Sequence, residues 1–518
     1  MSDRRLVEPI AGHARDDIAL IVAHPDGDET LSYGALLDGA TGWRVRLAAA
    51  GLGRGDRVAL WLPNIAAWPM IELAAAGAGL VVVPLNTRWR AAEVRHALAI
   101  SRARVVVLPE DFCGIPFDEI LDEALDGLGD VARIRVPQRA VAHEGGAEPA
   151  PIDEDLPLNL LTTSGSTGTP KFAIHRRSAL VTRFSAAGDR FTIERGDRLL
   201  CILPMCGVWG LGIVLAGLLK GATCVLAPVF DPDHAAALMG RLGIAHLHGG
   251  DNLVLSLIAS AALDVELPLW RTCYFGAFTG RAALETIAAI ETKGGGALCA
   301  AQAYGSSEAL AFVAGCAPDA PRDDRARPGG PLVDEATEVR LGDPETGAPL
   351  IGRDAGEIQL RGATVATGYW GDDDATRAAR TADGWYRTGD LGRIVPGGVV
   401  FISRLGDSLR LNGNLVAAGE IENHLCAHDA VAEAHVVGVR TLERGDVAVA
   451  FVRLAEGEGV DEAALLAFAR GRMAGYKIPA RIVVDVEIPV TIGANGTKVR
   501  KNVLRALAEG YLRTPPTT

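Results

Sequence analysis

Residues 58–63 (VALWLP), 79–85 (GLVVVPL) and 103–109 (ARVVVLP) are apolar at nearly every position. A strand built from any of them has no face to give to water, so each must be covered on both sides. The Ala-rich stretch 66–76 between the first two reads as a helix. Doubly buried strands joined by helices predict βαβ crossovers and a parallel sheet with helices on both faces. The alternation resumes with TCVLAP (223–228) and a helical pattern over 233–242. From Glu338 the pattern changes: EVRL, GEIQLRG and GVVFISR are short alternating strands of the antiparallel kind. A smaller, more charged block follows, with a helix expected at 420–427, strands at EAHVVGV and VAVAFVRL, and a helix near 462–474. We place the main boundary between Ser403 and Arg404. The expected class is therefore α/β, with a large N-terminal domain (1–403) and a small α+β C-terminal domain (404–518).

A chain of 518 residues is too long for one core, in keeping with this division. Its 64 acidic and 51 basic residues leave a formal charge of −13, which argues against nucleic acid as a partner. Eight cysteines are scattered without a CxxC pair, so no disulfide framework or zinc site is expected and a reducing cytoplasm fits. The opening MSDRRLVEPIAGHARDD has no apolar core of a secretory signal. The uncharged run 199–219, LLCILPMCGVWGLGIVLAGLL, is long enough to span a bilayer. Pro204 and four glycines interrupt it, and it reads better as a buried loop followed by a helix.

Residues 160–171, LLTTSGSTGTPK, crowd six Ser or Thr residues around two Gly and close on a lysine. Backbone N–H groups and hydroxyls in such a loop suit phosphate oxygens, with Gly165 and Gly168 permitting close approach. The spacing is not that of GxxxxGK[ST], which demotes the GTPases and P-loop kinases. Alone, the loop fits a flexible linker as well as a phosphate cradle. Farther on, AHLHGGDNL places His246, His248 and Asp251 close together. With no clear third ligand, a strand with alternating side chains fits better than a metal site.

The loop does not stand alone. In order along the chain come AYGSSE (303–308), GEIQLRG with TGYW (356–370), WYRTGDLG (385–392), SRLGDSLRLNGNLVAAGEIE (403–422) and NGTKVRKNVLR (495–505). Together with LTTSGSTGTPK they resemble the motif series of the adenylate-forming superfamily, in particular its acyl-CoA synthetases and AMP-dependent ligases. The resemblance runs over nearly the whole chain. It implies parallel-type α/β subdomains and a small antiparallel, barrel-like subdomain in the large domain, with a mobile small domain carrying a catalytic lysine. It also implies the site. Thr163, Ser164, Gly165, Ser166, Thr167 and Gly168, with Lys171, would hold the ATP phosphates. Gly276, Ala277 and Tyr304 would hold adenine, while Asp390 and Arg404 would hold the ribose. Glu308 and Ser307 would serve Mg²⁺. Lys498 would bridge the acid carboxylate and the α-phosphate, and Lys501 would be a solvated charge at the start of a helix.

Four positions depart from the family pattern. In PMCGVWG, Cys206 replaces an aromatic residue and Gly207 stands where His or an aromatic is common, beside the acceptor tunnel. Gly406 occupies the hinge position, Ser403 replaces a glycine, and ANGTK is longer than the usual TGK. Cys206, Gly207, Trp209, His248 and Asp251 are the candidate lining of the acid and acceptor pocket. The expected function is ATP-dependent activation of a small-molecule acid as its adenylate, followed by transfer to CoA. Gly207 and Gly406 keep a second reading open, in which an amine or carrier protein accepts the group, or nitrite is activated for an aryl amine.

Overall fold

The computed structural model describes residues 6–140, 155–163, 170–263, 267–277, 282–294, 296–411, 414–441, 445–473, 475–493 and 496–513. Among them, the apolar runs form strands buried on both faces. Val81–Pro84 and Val105–Pro109 are buried at every position. They lie in a six-stranded sheet ordered Ala132–Val136, Val105–Pro109, Arg57–Leu60, Val81–Pro84, Pro157–Thr163 and Lys171–Arg176. Its first five strands are parallel; the last two pair antiparallel, closing in register on Thr163 and Lys171. The Ala-rich helix is Ala67–Ala78.

A nine-stranded sheet follows, built mainly from parallel strands that include Arg198–Cys201, Thr223–Leu226, Thr272–Gly276 and Cys299–Tyr304. It also takes in Ile18–Val22, which the sequence reading did not assign. That strand lies parallel to Thr223–Leu226 with Leu20 opposite Cys224, a partner supplied two hundred positions later.

The run that could have passed for a membrane span is a strand, a turn and the helix Val208–Leu219, in which every residue but Trp209 is buried. Gly210 lets this helix start tightly against its own turn: a Cβ there would fall 2.2 Å from the Pro204 carbonyl oxygen. Among the described residues, no helix is long and apolar enough to cross a membrane.

The antiparallel portion is a five-stranded sheet ordered Gly329–Pro331, Gly398–Arg404, Tyr386–Val395, Gly356–Gly362 and Thr337–Gly342. Buried Arg183 ties it to the helix Arg177–Arg190: its guanidinium meets Asp334 at 2.8 Å, and Thr337, Thr364 and the Phe312 carbonyl each at 2.9 Å. After the turn Leu405–Asp407, another five-stranded sheet is formed by Ser408–Leu411, Asn414–Ala417, Val431–Thr441, Gly445–Leu454 and Arg481–Val484. Its helices are Ala418–Cys426 and Glu462–Arg470. The second stops short of the expected 474 because Gly471 caps it. A hairpin of Val490–Gly493 and Gly496–Val499 leads into the helix Lys501–Arg513.

One core group titrates in an unusual range. Glu72, on the helix Ala67–Ala78, is fully buried and has Asn159 Nδ2 at 3.2 Å from its Oε2. Burial pushes its carboxyl up to about 8 from 4.5. The native state therefore holds a proton that the unfolded chain has released, and stability falls as pH rises between those values. Glu72→Gln is expected to melt progressively higher than the parent protein from pH 5 to pH 8, with the difference closing below pH 4.5. A pH-independent difference in thermal melts would contradict this account.

Candidate active site

The site residues gather where the two parallel sheets and the antiparallel sheet meet. Pro157–Thr163 and Lys171–Arg176 are the two legs of a hairpin, so the Ser/Thr segment begins and ends at paired positions. Ser164, Gly165, Ser166, Thr167 and Gly168 themselves lie outside the described residues. Thr163 is buried at the end of its strand, and the Lys171 ammonium lies over the Tyr369 ring, 5.2 Å from its centroid.

Tyr304 ends the strand Cys299–Tyr304, and its buried hydroxyl donates to Asp390 Oδ2 at 2.7 Å. The other Asp390 oxygen pairs with Arg404 Nε at 2.9 Å. Strand register produces this pairing, since Asp390 and Arg404 stand opposite each other on adjacent antiparallel strands. Asp390 is 1% exposed, whereas the Arg404 side chain is 52% exposed. Burial raises the Asp390 carboxyl above its ordinary value, against the opposing pull of Arg404 and the Tyr304 hydroxyl. A carboxylate held in this way is an acceptor prepared for neutral donors such as hydroxyls. Tyr304 also stacks on Phe401, with ring centroids 5.8 Å apart. Gly276 ends a neighbouring strand and Ala277 follows it.

Ser307 and Glu308 lie in a 3₁₀ turn, Ser307–Ala309, held at three points. His175 Nε2 donates to the Ser307 carbonyl at 2.8 Å, Ala366 N–H donates to the Glu308 carbonyl at 2.7 Å, and Tyr369 Oη donates to Glu308 Oε1 at 2.9 Å. Burial holds the His175 imidazole down to about 4, so it is neutral and its Nε2 carries the proton toward the carbonyl. The loop doubles back sharply. A Cβ on Gly305 would fall 1.3 Å from the Ala311 carbonyl oxygen, and Leu310 and Ala311 have φ of 53° and 56°. Non-glycine residues rarely adopt such values. Among the described residues no Lys or Arg pairs with the Glu308 carboxylate, and the Tyr369 bond leaves its second oxygen available. A partly buried carboxylate with no described Lys or Arg in direct contact fits a hard cation such as Mg²⁺.

Two of the expected pocket residues, Trp209 and His248, join through an aromatic row. Trp209 meets Phe312 edge-on at 5.8 Å, Phe312 meets Phe191 edge-on at 4.9 Å, and Phe191 lies 4.7 Å from the His248 ring. His248 Nδ1 accepts the Tyr274 backbone N–H at 3.0 Å, and burial holds its imidazole well below the ordinary value. Asp251 is the buried first residue of the helix Asp251–Ile258, and its Oδ1 accepts the Asn252 N–H at 2.8 Å. His246 is turned to Thr272 and Asp197, at 2.6 and 3.0 Å. Among the described residues no cluster of potential metal ligands forms.

Buried Cys206, its thiol pushed up to about 12 by burial, and Gly207, the N-cap of Val208–Leu219, follow a turn pinned by Asn64. The Asn64 side chain bonds the Leu203 carbonyl and the Met205 N–H, both at 2.9 Å. The sequence reading gave Asn64 no part, and only its place directly after the VALWLP strand marks it. Tyr369, within TGYW, likewise carries no role that the sequence motif announces.

On the C-terminal side, Lys498 stands opposite Thr491 in the terminal hairpin, and its strand runs beside the helix Asp251–Ile258. Its side chain lies outside the described residues. Gly406 is exposed in the turn Leu405–Asp407, in a conformation any residue can adopt, with nothing within 4 Å of where a Cβ would stand. Lys501 is not the solvated charge expected. Its Nζ pairs with Glu422 Oε1 at 3.0 Å and its side chain is 23% exposed, because Glu422 projects from the helix Ala418–Cys426 toward the start of Lys501–Arg513.

Comparison with known proteins identifies the family and the fold. The model of the AMP-binding enzyme family matches residues 7–370, and that of the AMP-binding enzyme C-terminal domain matches 420–493. The chain is 34% identical to the 3-[(3aS,4S,7aS)-7a-methyl-1,5-dioxo-octahydro-1H-inden-4-yl]propanoyl:CoA ligase of Mycobacterium tuberculosis, across 93% of this chain and 94% of that protein. Among solved structures it resembles ATP-bound MatB from Rhodopseudomonas palustris, with TM-score 0.85, 27% identity, and coverage of 98% of this chain and 100% of the other. It also resembles the amide bond synthetase McbA from Marinactinospora thermotolerans, with TM-score 0.82, 25% identity, and coverage of 97% and 99%. The fold and these matches define an AMP-forming ligase. The chain belongs to the AMP-binding enzyme family, of the adenylate-forming acyl-CoA synthetase type.

Proposed function

We propose that this protein is an acid–CoA ligase, which joins a small-molecule acid to ATP as its adenylate, releases pyrophosphate, and passes the acyl group to CoA. The observation that carries the reading is the buried Asp390 carboxylate, oriented by Tyr304 and Arg404. Two ribose hydroxyls would donate to it while Tyr304, Gly276 and Ala277 border the adenine. Thr163, the Ser/Thr segment and Lys171 would take the phosphates, and Glu308 with Ser307 would hold Mg²⁺, which when bound neutralises phosphate charge. In-line attack brings two anions together, and Lys498 is the positive charge assigned to offset them. We further propose that residues 404–518 form the mobile domain that brings Lys498 in for this step and withdraws it for the next. Its likeness in sequence to a CoA ligase supports CoA as acceptor.

The second reading, an amine as acceptor, is favoured by one local feature and one comparison. Gly207 leaves the pocket edge without a side chain, and an amide bond synthetase is among the structural neighbours. Incubation with ATP, a panel of acids, and either CoA or amines separates the readings by product. AMP and pyrophosphate with a thioester are the expected outcome; amide formation with no thioester would replace the first reading with the second. Gly207→Phe sharpens the distinction. With CoA as the ordinary acceptor, thioester yield is retained. If Gly207 makes room for an unusual acceptor, transfer is lost while adenylate formation continues. Equal loss of both half-reactions would show that position 207 serves folding or acid binding instead.

A further inference from the structure

Glu308 and Lys171 carry opposite charges, yet among the described residues neither has an ion-pair partner. One side chain, Tyr369, touches both. Its hydroxyl donates to Glu308 Oε1 at 2.9 Å, and its ring lies beneath the Lys171 ammonium at 5.2 Å. We propose that Tyr369 is a positioning residue that sets the candidate cation-binding carboxylate and the lysine closing the phosphate segment as one unit, while keeping the two charges from neutralising each other. The inference rests on the adenylation reading above.

Three observations support it. The segment bearing Tyr369 is fastened along the strand that begins with Lys171: Thr367 N–H donates to the Ile174 carbonyl, Ile174 N–H to the Gly368 carbonyl, and Trp370 N–H to the Phe172 carbonyl, at 3.0, 3.0 and 2.8 Å. The same segment holds the Glu308 turn by its backbone, through Ala366 N–H. Finally, the Tyr369 backbone N–H is itself fixed by Thr376 Oγ1 at 2.9 Å, and the buried Tyr386 phenol also approaches its hydroxyl. A phenol is suited to this place. It donates one hydrogen bond to a carboxylate, presents a π face to an ammonium, and remains neutral. A direct Lys–Glu pair would instead occupy the charges that phosphate and a cation need.

Thermal shift with ATP, titrated with MgCl₂ and repeated in EDTA, tests the proposal without relying on turnover. Tyr369→Phe keeps the ring and removes the donor. It is expected to raise the Mg²⁺ concentration giving half the ATP-induced shift about 10- to 100-fold, the scale of one hydrogen bond to a charged group. The response to ATP in EDTA should be unchanged. Tyr369→Leu, which also removes the ring under Lys171, should weaken the EDTA response as well. In a Glu308→Gln background Tyr369→Phe should add nothing, because the hydroxyl acts through that carboxylate. A Tyr369→Phe Mg²⁺ titration superimposable on that of the parent protein would overturn the proposal. So would an undiminished effect in the Glu308→Gln background, or a Tyr369→Phe protein that loses melting temperature with its ligand responses intact. A parent protein showing no Mg²⁺-dependent response to ATP would remove the adenylation reading, and this inference with it.

Discussion

Lys498→Ala is expected to slow acid-dependent pyrophosphate release by about 10²-fold or more, the scale of removing one transition-state donor. The argument is one of timing. A positive charge between the acid carboxylate and the α-phosphate matters while the two anions are forced together, and little before or after. Removing it lowers the rate of that step and leaves ground-state binding in place. ATP binding and melting temperature should therefore stay close to those of the parent protein, and a pre-made adenylate should still transfer its acyl group. The backbone supports the assignment: the strand Gly496–Val499 runs beside the helix headed by Asp251. Lys501→Ala is the comparison. Breaking its pair with Glu422 should cost about 1 kcal/mol of stability and lower the melting temperature, yet leave pyrophosphate release per folded molecule near normal. If both variants release pyrophosphate alike, the lysine assignment across the ANGTK insertion is wrong.

Asp390→Asn should raise the ATP concentration needed for half-maximal adenylation by about 10²-fold or more, since two hydroxyls each lose a charged acceptor worth roughly 1.5–3 kcal/mol. The amide preserves shape, so packing around Tyr304 is retained. The stranded Arg404 costs little because its side chain is 52% exposed and water takes over the guanidinium. The expected signature is thus an ATP defect in a protein that melts nearly normally, with the requirement for the acid little changed. An Asp390→Asn enzyme with parental ATP dependence would remove Asp390 from the nucleotide site.

The elements legible in the sequence were those whose signal is local. VALWLP, GLVVVPL and ARVVVLP carry the local signal of buried strands, and the alternation from Glu338 that of antiparallel strands, although Gly356–Leu360 is buried at every position. Ile18–Val22 was missed because five apolar residues behind a charged start say nothing of a partner at 223–226. Tyr304, Asp390 and Arg404 were named from their motifs, but the Asp390–Arg404 contact comes from strand register and the Tyr304–Asp390 contact from the meeting of two sheets. Trp209 and His248 were named as pocket residues, whereas Phe191 and Phe312, which join them, come from segments with no motif. Lys501 was misjudged because its partner lies 79 positions away on another helix. Tyr369 escaped assignment for a related reason: a tyrosine in TGYW does not announce that a lysine and a glutamate will close around it.

The sharp turn at Gly305–Ala311 divides this enzyme into parts that can change and a part that cannot. A methyl group at 305 has nowhere to go, and Leu310 and Ala311 already sit in backbone conformations that their side chains resist. Nothing comparable confines the exposed Gly406. An engineer seeking new acids or acceptors would accordingly leave 305–311 untouched and vary the proposed pocket residues at 206–209 and 248–251, treating the first segment as tooling and the second as the workpiece.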